Sequence, residues 1–370
     1  MNPKKIAIIG TAEGQKLLYI KAKQKGLYTI AFSYNRGCIP TELIDEYYEI
    51  SIIDKDTIVA KCREIGVDGI VSNGSELTAS ISSYVAENLG LECTPYSVIS
   101  ILQDKSKVRN LTNNIVGLQP LRSYIFSNES AEPLFMPCVV KPLEGSGKSG
   151  VSFADSLQAF REAIAYSLKS SDKAPLIEEY AEGNEVSVES ISFQGKHYVI
   201  QITDKDSSGA PHFVELGHHQ PTQLSEEIQD KISHLLPPIL DAVGYVSGAS
   251  HTELKVTDDG RIYLVEINPR GGGDEISNRL VSLSTGYDYI GAMIDVALGN
   301  FSEPIYGEKK CAGILFLTRQ TQHLLPLFQG AQAQAWYIDG KIESFDLKEC
   351  TGNASKNGFI IYQSDKRIIK

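Results

Sequence analysis

The chain has 370 residues, of which 42% are hydrophobic and 22% charged; this composition allows a large core and excludes global disorder. At about 150 residues per domain, the length predicts two or three domains. The formal charge is -11, from 35 Lys and Arg against 46 Asp and Glu, which excludes nucleic acid as an expected partner.

The apolar runs and the cysteines predict the cellular compartment of the protein. No apolar run approaches the roughly 20 residues that span a bilayer, so we expect no membrane partner. The six cysteines are widely scattered and form no CxxC pair. Reduced thiols are the expectation for such a pattern, and they fit a cytoplasmic protein.

The first hundred residues alternate short apolar strands with helical stretches, which predicts an open parallel sheet covered on both faces. Gly10 and Gly14 follow the first strand, but they do not complete the G-x-G-x-x-G pattern of a dinucleotide site. A plain tight turn is therefore the expectation there. The predicted strands are 5–10, 28–33, 46–50 and 69–72, and the predicted helices are 14–25, 57–65 and 77–89.

The middle of the chain mixes helices with antiparallel strands. We expect a charged helix at 104–113, and a long helix at 225–243 that Pro237 and Pro238 interrupt. From about residue 310, short strands at 312–318, 332–338 and 359–363 predict a small β-rich module. The other predicted elements are strands at 138–141, 151–153 and 175–180, a hairpin at 185–193 and 197–203, a helix at 156–169, strands at 249–256 and 262–268, and a helix at 288–298.

A glycine-rich loop is the strongest local signal, with the sequence VVKPLEGSGKSG at residues 139–150. It is not a P-loop, because Pro142 stands where the first glycine should be and a strand, not a helix, follows the loop. The segment reads as a strand–loop–strand flap whose backbone N–H groups, with Ser146, Lys148 and Ser149, close over phosphates. An ordinary hairpin without a ligand is the alternative.

A second signal is a set of oxygen donors on two consecutive strands. Glu266 and Asn268 are two residues apart and share one strand face. If the strands pair through the turn at 258–260, Glu253 lies beside Glu266. Two carboxylates and an amide oxygen suit Mg²⁺ that also coordinates phosphates. An exposed sheet face is the alternative interpretation.

A third signal is the sequence LIEEYAEGNE at residues 176–185, where an apolar strand ends in two acids. An extended hinge of this kind offers backbone N–H and C=O groups to an adenine edge, and Glu185 lies seven residues beyond Glu178 to accept ribose hydroxyls. Alone the pattern is weak, because acids that end a strand are usually solvated.

Together these three elements resemble the ATP-grasp superfamily, in the right order over roughly residues 1–300. The resemblance implies a doubly wound pre-ATP-grasp α/β domain at 1–103 and an ATP-grasp domain at 104–300, with a small lobe at about 115–180. A small C-terminal β-rich module at 301–370 follows. It also implies nucleotide-binding residues, with a flexible lid at 144–150: Lys105, Lys141, Glu144, Gly145, Ser146, Gly147, Ser149, Glu178, Glu179, Ala181 and Glu185.

The same resemblance implies the metal ligands Glu253, Glu266 and Asn268 for Mg²⁺ or Mn²⁺, in the spacing of D-alanine–D-alanine ligase. The residues implied as catalytic are Arg270, Lys141 and His251. Arg270 matches an arginine that faces an acyl-phosphate, and the N–H groups of the three glycines after it are expected to stabilise an oxyanion.

Within the superfamily, three segments resemble bacterial L-amino-acid ligases and related carboxylate–amine ligases: HTE at 251–253, GGGD at 271–274 and TGYD at 285–288. These enzymes are similar in turn to the carbamoyl phosphate synthetase large chain. Asp274 departs from the pattern, because some amino-acid ligases carry a basic residue there. His218 and His219 are expected in a loop lining the cleft or in a solvated loop, whereas Arg279 is expected on a surface helix or against a substrate carboxylate.

The activity that this resemblance implies is an ATP-dependent ligase that joins a small-molecule carboxylate to an amine. It would proceed through an acyl-phosphate and release ADP and phosphate, with an amino acid or another small carboxylate as substrate. A homodimer stays open as the oligomeric state. The alternatives are a ligase with a thiol or ammonia acceptor, and a non-catalytic nucleotide-binding subunit.

Overall fold

The computed structural model of the chain describes residues 2–127, 132–144, 147–347, 350 and 356–369. Its N-terminal part is a parallel sheet of four strands in the order β3-β2-β1-β4, as the alternating pattern predicts. The apolar strands are buried, because helices cover the sheet. These elements are β1 (Lys5–Ile9), α1 (Lys16–Gln24), β2 (Tyr28–Ser33), β3 (Glu46–Glu49), α2 (Lys55–Ile65), β4 (Gly69–Val71) and α3 (Glu76–Leu89).

A helical segment leads from this sheet into the rest of the chain. It comprises α4 (Tyr96–Leu102) and α5 (Lys105–Thr112), followed by the short strand β5 (Leu118–Gln119). The Asp104 carboxylate caps α5, since it accepts hydrogen bonds from the backbone N–H groups of the second and third helical residues, at 3.0 and 3.2 Å. Because of this cap the helix begins at Lys105, so the Lys105 side chain lies at the N-terminal end of α5.

A small antiparallel sheet follows, with strand order β6-β9-β7-β8. One helix packs on it through Phe160 and Ala163, which are almost fully buried against Val140 and Ile177. This layer carries the predicted glycine loop between β7 and β8. Its elements are β6 (Ser123–Ile125), β7 (Cys138–Lys141), β8 (Ser152–Ala154), α6 (Leu157–Ser170) and β9 (Leu176–Glu179).

A larger sheet forms the centre of the molecule. Among the described residues it has nine strands, in the order β16-β17-β15-β12-β11-β10-β13-β14-β5. The π-helical turn Ile276–Leu280 leads from it into the helices that cover one face. Its central elements are β10 (Asn184–Phe193), β11 (Lys196–Ser207), β12 (Glu215–Gln220), α7 (Glu226–Val243), β13 (Gly248–Val256), β14 (Ile262–Asn268), α8 (Val281–Thr285) and α9 (Tyr289–Ala297).

The C-terminal strands extend this central sheet, because β15 pairs with β12 across Gly217 and Leu315. The β-rich character expected beyond residue 310 is present, but these strands share the sheet of the preceding region. The strand predicted at 332–338 is misplaced, since residues 331–333 form a single 3₁₀ turn and the strand begins at Tyr337. The C-terminal elements are β15 (Cys311–Leu317), α10 (Leu325–Gly330), β16 (Tyr337–Ile342) and β17 (Gly358–Ser364).

The predicted interruption of the long helix is wrong, because α7 continues through Pro237 and Pro238. Each proline removes a backbone donor, which costs about 3 kcal/mol in a helix interior. The apolar face of α7 offsets this cost: Leu236, Ile239 and Leu240 are at most 1% exposed and pack on the central sheet. Burial of this apolar face therefore outweighs the local preference of proline against the helix interior.

The N-terminal sheet and the central sheet share one core. Ile294 of α9 is fully buried in a cluster that includes Leu18 of α1 and Ile191 of β10. Polar contacts reinforce this joint, since the Asn73 side-chain amide donates to the Ser277 hydroxyl at 3.0 Å. No helix in the described part of the chain is both long enough and apolar enough to span a bilayer.

Truncating the shared core is expected to destabilise the molecule. Ile294→Ala removes side-chain atoms at the joint, so the free energy of unfolding should fall by about 2–5 kcal/mol. The matched control is Ile53→Ala, in the exposed turn before α2, which should change it by less than about 0.5 kcal/mol. Urea denaturation measures both, and equal effects of the two variants would contradict a shared core.

Candidate active site

A cavity of about 400 Å³ lies where the small sheet, the central sheet and the N-terminal sheet meet. This volume is within the range of small-molecule sites. Gly74, just beyond β4, and the loop after β14 contribute to its wall. The wall also includes thirteen of the predicted residues: Lys105, Lys141, Gly147, Ser149, Glu178, Glu179, Ala181, Glu185, His251, Glu253, Glu266, Asn268 and Arg270.

The three predicted metal ligands lie together on the central sheet. Glu253 of β13 is directly paired with Glu266 of β14, and Asn268 lies two residues further along β14. Glu253 is 8% exposed and Asn268 is 3% exposed, so the alternative of a solvent-exposed sheet face is wrong. Two carboxylates and an amide oxygen are hard donors, and this chemistry fits Mg²⁺.

Lys105 lies against the sheet face that carries these three predicted ligands. Its Nζ is 2.8 Å from Glu266 Oε1, and both side chains are largely buried. Burial disfavours the charged lysine, but the Glu266 carboxylate outweighs burial and raises the pKa of Lys105. The lysine predicted to bind phosphate is therefore held by one of the predicted metal ligands.

Lys141 and Glu178 form a second buried pair, together with Arg109 of α5. Arg109 Nε donates to Glu178 Oε1 at 2.7 Å, while Lys141 Nζ contacts the other carboxylate oxygen. Burial raises and the two cations lower the pKa of Glu178, and the cations prevail. Sequence reasoning missed Arg109, although it lies four residues after Lys105 and hence on the same helix face.

The predicted adenine hinge forms one wall of the cavity. The ring of Tyr180 stacks with that of Phe213, with centroids 6.1 Å apart, and Ala181 lies beside them. The backbone N–H of Glu179 donates to the Arg122 carbonyl at 2.9 Å, so this N–H is not available to a ligand. The Glu179 carboxylate points to Arg122 at the surface.

The glycine loop reaches the cavity with Gly147, Lys148 and Ser149. Lys148 adopts a left-handed backbone (φ 60°), and its Nζ lies 2.5 Å from Glu185 Oε1. The loop lysine thus contacts the acid predicted to bind ribose. Glu144 lies outside the cavity wall, because its carboxylate pairs with Lys173 at the surface. The predicted residues Gly145 and Ser146 lie outside the described residues.

Lys205 of β11 joins three carboxylates in the cavity. Its Nζ lies 2.7 Å from Glu215 and 3.5 Å from Glu185, and it also contacts Glu253. Burial opposes the positive charge of Lys205, but the carboxylates, Glu215 foremost, raise its pKa. Sequence reasoning missed Lys205 and Glu215. The predicted hairpin ended at residue 203, whereas β11 continues to Ser207 and places Lys205 directly opposite Glu185 in the β10–β11 ladder.

His251 lies between two carboxylates, two residues before Glu253 on β13, and is buried. Its Nδ1 is 2.5 Å from Glu189 Oε1, and its Nε2 is 3.3 Å from Glu253 Oε1. Burial lowers the pKa of His251, but Glu189 outweighs burial and raises it to about 9. Glu189 was missed, although it shares one strand face with Glu185 and Ser187.

The loop after β14 holds Arg270 beside the N-terminal sheet. Its Nη2 lies 4.0 Å from Glu76 Oε1. The next two residues must be glycine, since a Cβ at Gly271 would lie 2.6 Å from Asn73 Oδ1 and one at Gly272 2.7 Å from His251 Nδ1. The Gly272 N–H donates to Glu189, which makes it unavailable for the expected oxyanion contact.

The sequence left the positions of three further residues open, and the structure places them in different surroundings. His218 is buried in the cavity wall. His219 faces away from it, with its ring nitrogens 2.8 Å from the Tyr362 hydroxyl and 2.9 Å from Asp206. Arg279 pairs with Asp339 near the surface, outside the cavity wall. Neither histidine lies in a solvated loop, because both are on β12.

Residues 134–279 match the family model of the ATP-grasp domain. This chain contains an ATP-grasp domain. Its relatives include formate-dependent phosphoribosylglycinamide formyltransferase of Bacillus velezensis, 24% identical over 72% of this chain and 71% of that protein. Carnosine synthase 1 of Mus musculus is 22% identical over 81% of this chain, which spans 40% of that longer protein.

Among solved structures, L-amino acid ligase from Bacillus licheniformis has a TM-score of 0.81 with this chain. The match covers 99% of this chain and 94% of that one, at 21% identity, which establishes similarity of fold. The ATP-grasp resemblance and the mixed α/β fold predicted from the sequence are therefore confirmed.

The buried His251 predicts a pH-dependent stability. Its folded-state pKa of about 9 exceeds its ordinary value of 6.5, so its stabilising contribution is complete below about pH 6.5 and is lost as the pH rises through about 9. Relative to His251→Gln, the wild-type chain should gain up to roughly 3 kcal/mol of unfolding free energy below about pH 6.5, and less toward pH 9.

Urea denaturation across this pH range measures the difference. His234→Gln is the control, because His234 is exposed on α7 and should contribute little at any pH. A wild-type advantage over His251→Gln that does not change with pH would contradict a buried imidazolium between Glu189 and Glu253.

Proposed function

We propose that this chain is an ATP- and Mg²⁺-dependent carboxylate–amine ligase that forms an amide through an acyl-phosphate. The observation that carries the proposal is the convergence of buried lysines and carboxylates in one cavity. Lys105 and Lys141 come from different layers of the fold, and both lie in the wall that also holds Glu253 and Glu266. The ATP-grasp domain and the ligases among the relatives support the same assignment.

In this proposal the nucleotide and the cation replace contacts that the protein makes within itself. Lys105 is paired with Glu266 and Lys141 with Glu178. A triphosphate alone would compete with these carboxylates for the lysines. A divalent cation bound to Glu266 removes that competition, so we expect nucleotide and metal to bind together.

The adenosine half would occupy the end of the cavity formed by the hinge. Tyr180, Ala181 and Phe213 supply an apolar wall there, which suits an adenine ring. Ribose hydroxyls would bind Glu185, which requires Lys148 to leave that carboxylate. Lys148 and the loop around it would then be available to the phosphates, so that one exchange couples recognition of ribose to closure of the loop.

The residues that would hold the cation are Glu253, Glu266 and Asn268. Mg²⁺ or Mn²⁺ bound there supplies positive charge that offsets the charge of the phosphates. His251 positions one of these ligands, because its Nε2 faces Glu253 while Glu189 holds its Nδ1.

The proposed reaction has two steps. A carboxylate oxygen of the substrate attacks the γ-phosphorus, the bond from that phosphorus to the β–γ bridging oxygen breaks, and ADP leaves. An amine nitrogen then attacks the acyl carbon, phosphate leaves, and the nitrogen gives up a proton. Positioning and charge neutralisation dominate such phosphoryl transfer. The Arg270 guanidinium would neutralise the acyl-phosphate, and the N–H groups of Gly271 and Gly273 would face the oxyanion.

The products test this mechanism. Incubating the chain with ATP, Mg²⁺, hydroxylamine and a panel of amino acids and small carboxylates should yield a hydroxamate and equimolar ADP for the true substrate. Glu266→Gln should reduce hydroxamate formation at least about a hundredfold, because a neutral amide replaces a charged metal ligand. Colorimetric hydroxamate detection and nucleotide chromatography measure both products.

Glu227→Gln is the matched control, since Glu227 pairs with Lys231 at the surface of α7, outside the cavity wall, and it should retain near-normal turnover. AMP and pyrophosphate as products would overturn the acyl-phosphate mechanism. ATP binding without cleavage across the panel would favour a non-catalytic nucleotide-binding subunit. If the substrate identified by trapping is joined only to thiols or ammonia when these replace hydroxylamine in separate reactions, the proposal is redirected to those acceptors.

A further inference from the structure

Lys205 of β11 has no role in the function proposed above, although it lies in the cavity wall. Its side chain is 3% exposed, and its Nζ lies 2.7 Å from Glu215 Oε1 and 3.5 Å from Glu185 Oε1. It also contacts Glu253 Oε1. One oxygen from each of these three carboxylates lies within 4.8 Å of the others, so three acids surround the ammonium group.

The central sheet fixes the position of Lys205 from both sides. Lys205 is directly opposite Glu185 of β10 in one antiparallel ladder and opposite His218 of β12 in the other. The strand β11 is therefore hydrogen-bonded along both of its edges at this point. Lys148 approaches the same carboxylate, Glu185, from a loop, whereas Lys205 approaches it from an inner strand of the sheet.

Two of the three partners of Lys205 have a role in the proposed ligase. Glu185 would bind the ribose hydroxyls, and Glu253 would bind the cation. The phosphate chain of the nucleotide begins at the ribose and extends to the phosphates whose charge the cation offsets. Because Lys205 contacts both of these carboxylates, the phosphate chain has to pass beside its ammonium group.

Nucleotide binding takes two partners away from Lys205 in this proposal. When Glu253 binds the cation and Glu185 binds the ribose, only Glu215 is left to pair with the lysine. An ammonium group has three N–H donors, and a buried one is costly unless they are satisfied. Phosphate oxygens are charged acceptors, so a phosphate beside Lys205 would replace the contacts that the two carboxylates give up.

We infer that Lys205 binds the α-phosphate, the phosphate that is attached to the ribose of the nucleotide. This inference rests on the proposed function. The α-phosphate is the phosphate nearest to the ribose, and Lys205 is directly opposite Glu185, the carboxylate proposed to bind that ribose. Lys105 is paired with Glu266 instead, so we expect it to bind phosphates further along the chain.

The test compares ligands that differ by one phosphate at a time. Competition against a fluorescent ADP analogue, with the full chain at saturating Mg²⁺, gives the affinities for adenosine, AMP, ADP and a non-hydrolysable ATP analogue. The wild-type chain should bind AMP about 10- to 100-fold more tightly than adenosine, the range for hydrogen bonds to charged groups. Lys205→Met should remove most of this gain and leave the affinity for adenosine nearly unchanged.

Further variants locate the effect. Lys231→Met is the matched control, since Lys231 pairs with Glu227 at the surface of α7, outside the cavity wall, and it should keep the gain from adenosine to AMP. Lys105→Met should also keep that gain and should reduce the gains at the later phosphates. If Lys205→Met does not fold, the double variant with Lys205→Met and Glu215→Gln removes one charge of each sign and takes its place.

The outcomes separate this inference from the proposed function. An unchanged gain from adenosine to AMP in the folded Lys205 variant would overturn the inference, as would an equal loss of affinity for both ligands or a loss confined to ADP and the ATP analogue. Binding of no nucleotide by the wild-type chain would overturn the inference and the proposed function together. A selective loss for AMP, in a chain that binds ATP without cleaving it, would support the inference while the ligase function fails.

Discussion

The feature on which the candidate active site depends is the mutual neutralisation of buried charges. Lys105 of α5 is paired with Glu266 of β14, and Lys141 of β7 with Glu178 of β9. A buried charge without a partner is costly, so each pair fixes the distance between the elements that carry it. Because Arg109 of α5 also pairs with Glu178, the small sheet, helix α5 and the central sheet are held around one cavity, by groups that are also suited to phosphate and metal.

These pairings give each of the buried charges a partner within the protein. In the proposed ligase, a bound cation would replace the lysines at the carboxylates, and phosphates would replace the carboxylates at the lysines. At the hinge, Lys148 is likewise paired with Glu185. Lys205 is paired with Glu185, Glu215 and Glu253. In the proposed ligase, ligand binding exchanges partners within the cavity and does not require charges to be buried anew.

Local sequence patterns predicted the parts of the site that lie on neighbouring strands. Glu253 and Glu266 were predicted side by side because one tight turn joins their strands. Glu189 and Arg109 were missed, since their partners come from elements distant in sequence. The position of Glu144 was not predictable either, because residues of one loop can face the cavity or the surface with little change in local pattern.

Tertiary contacts, and not local sequence preference, determine some elements of the fold. Two prolines inside α7 are tolerated because its apolar face is buried on the central sheet. The C-terminal strands appear as a separate module in the sequence, but hydrogen bonding of β15 to β12 joins them to the central sheet. Periodicity shows which residues are strands, whereas the choice of neighbouring strand depends on non-local pairing.

The central claim, that metal and nucleotide exchange partners with buried ion pairs, is tested most directly by calorimetric titration of the chain with a non-hydrolysable ATP analogue. With Mg²⁺ the analogue should bind at one site, and without metal at least about tenfold more weakly, a difference of about 1.4 kcal/mol. Glu266→Gln should bind the metal-free analogue more tightly than the wild type, because Lys105 loses its competing carboxylate. Equal wild-type affinity with and without Mg²⁺ would contradict the account.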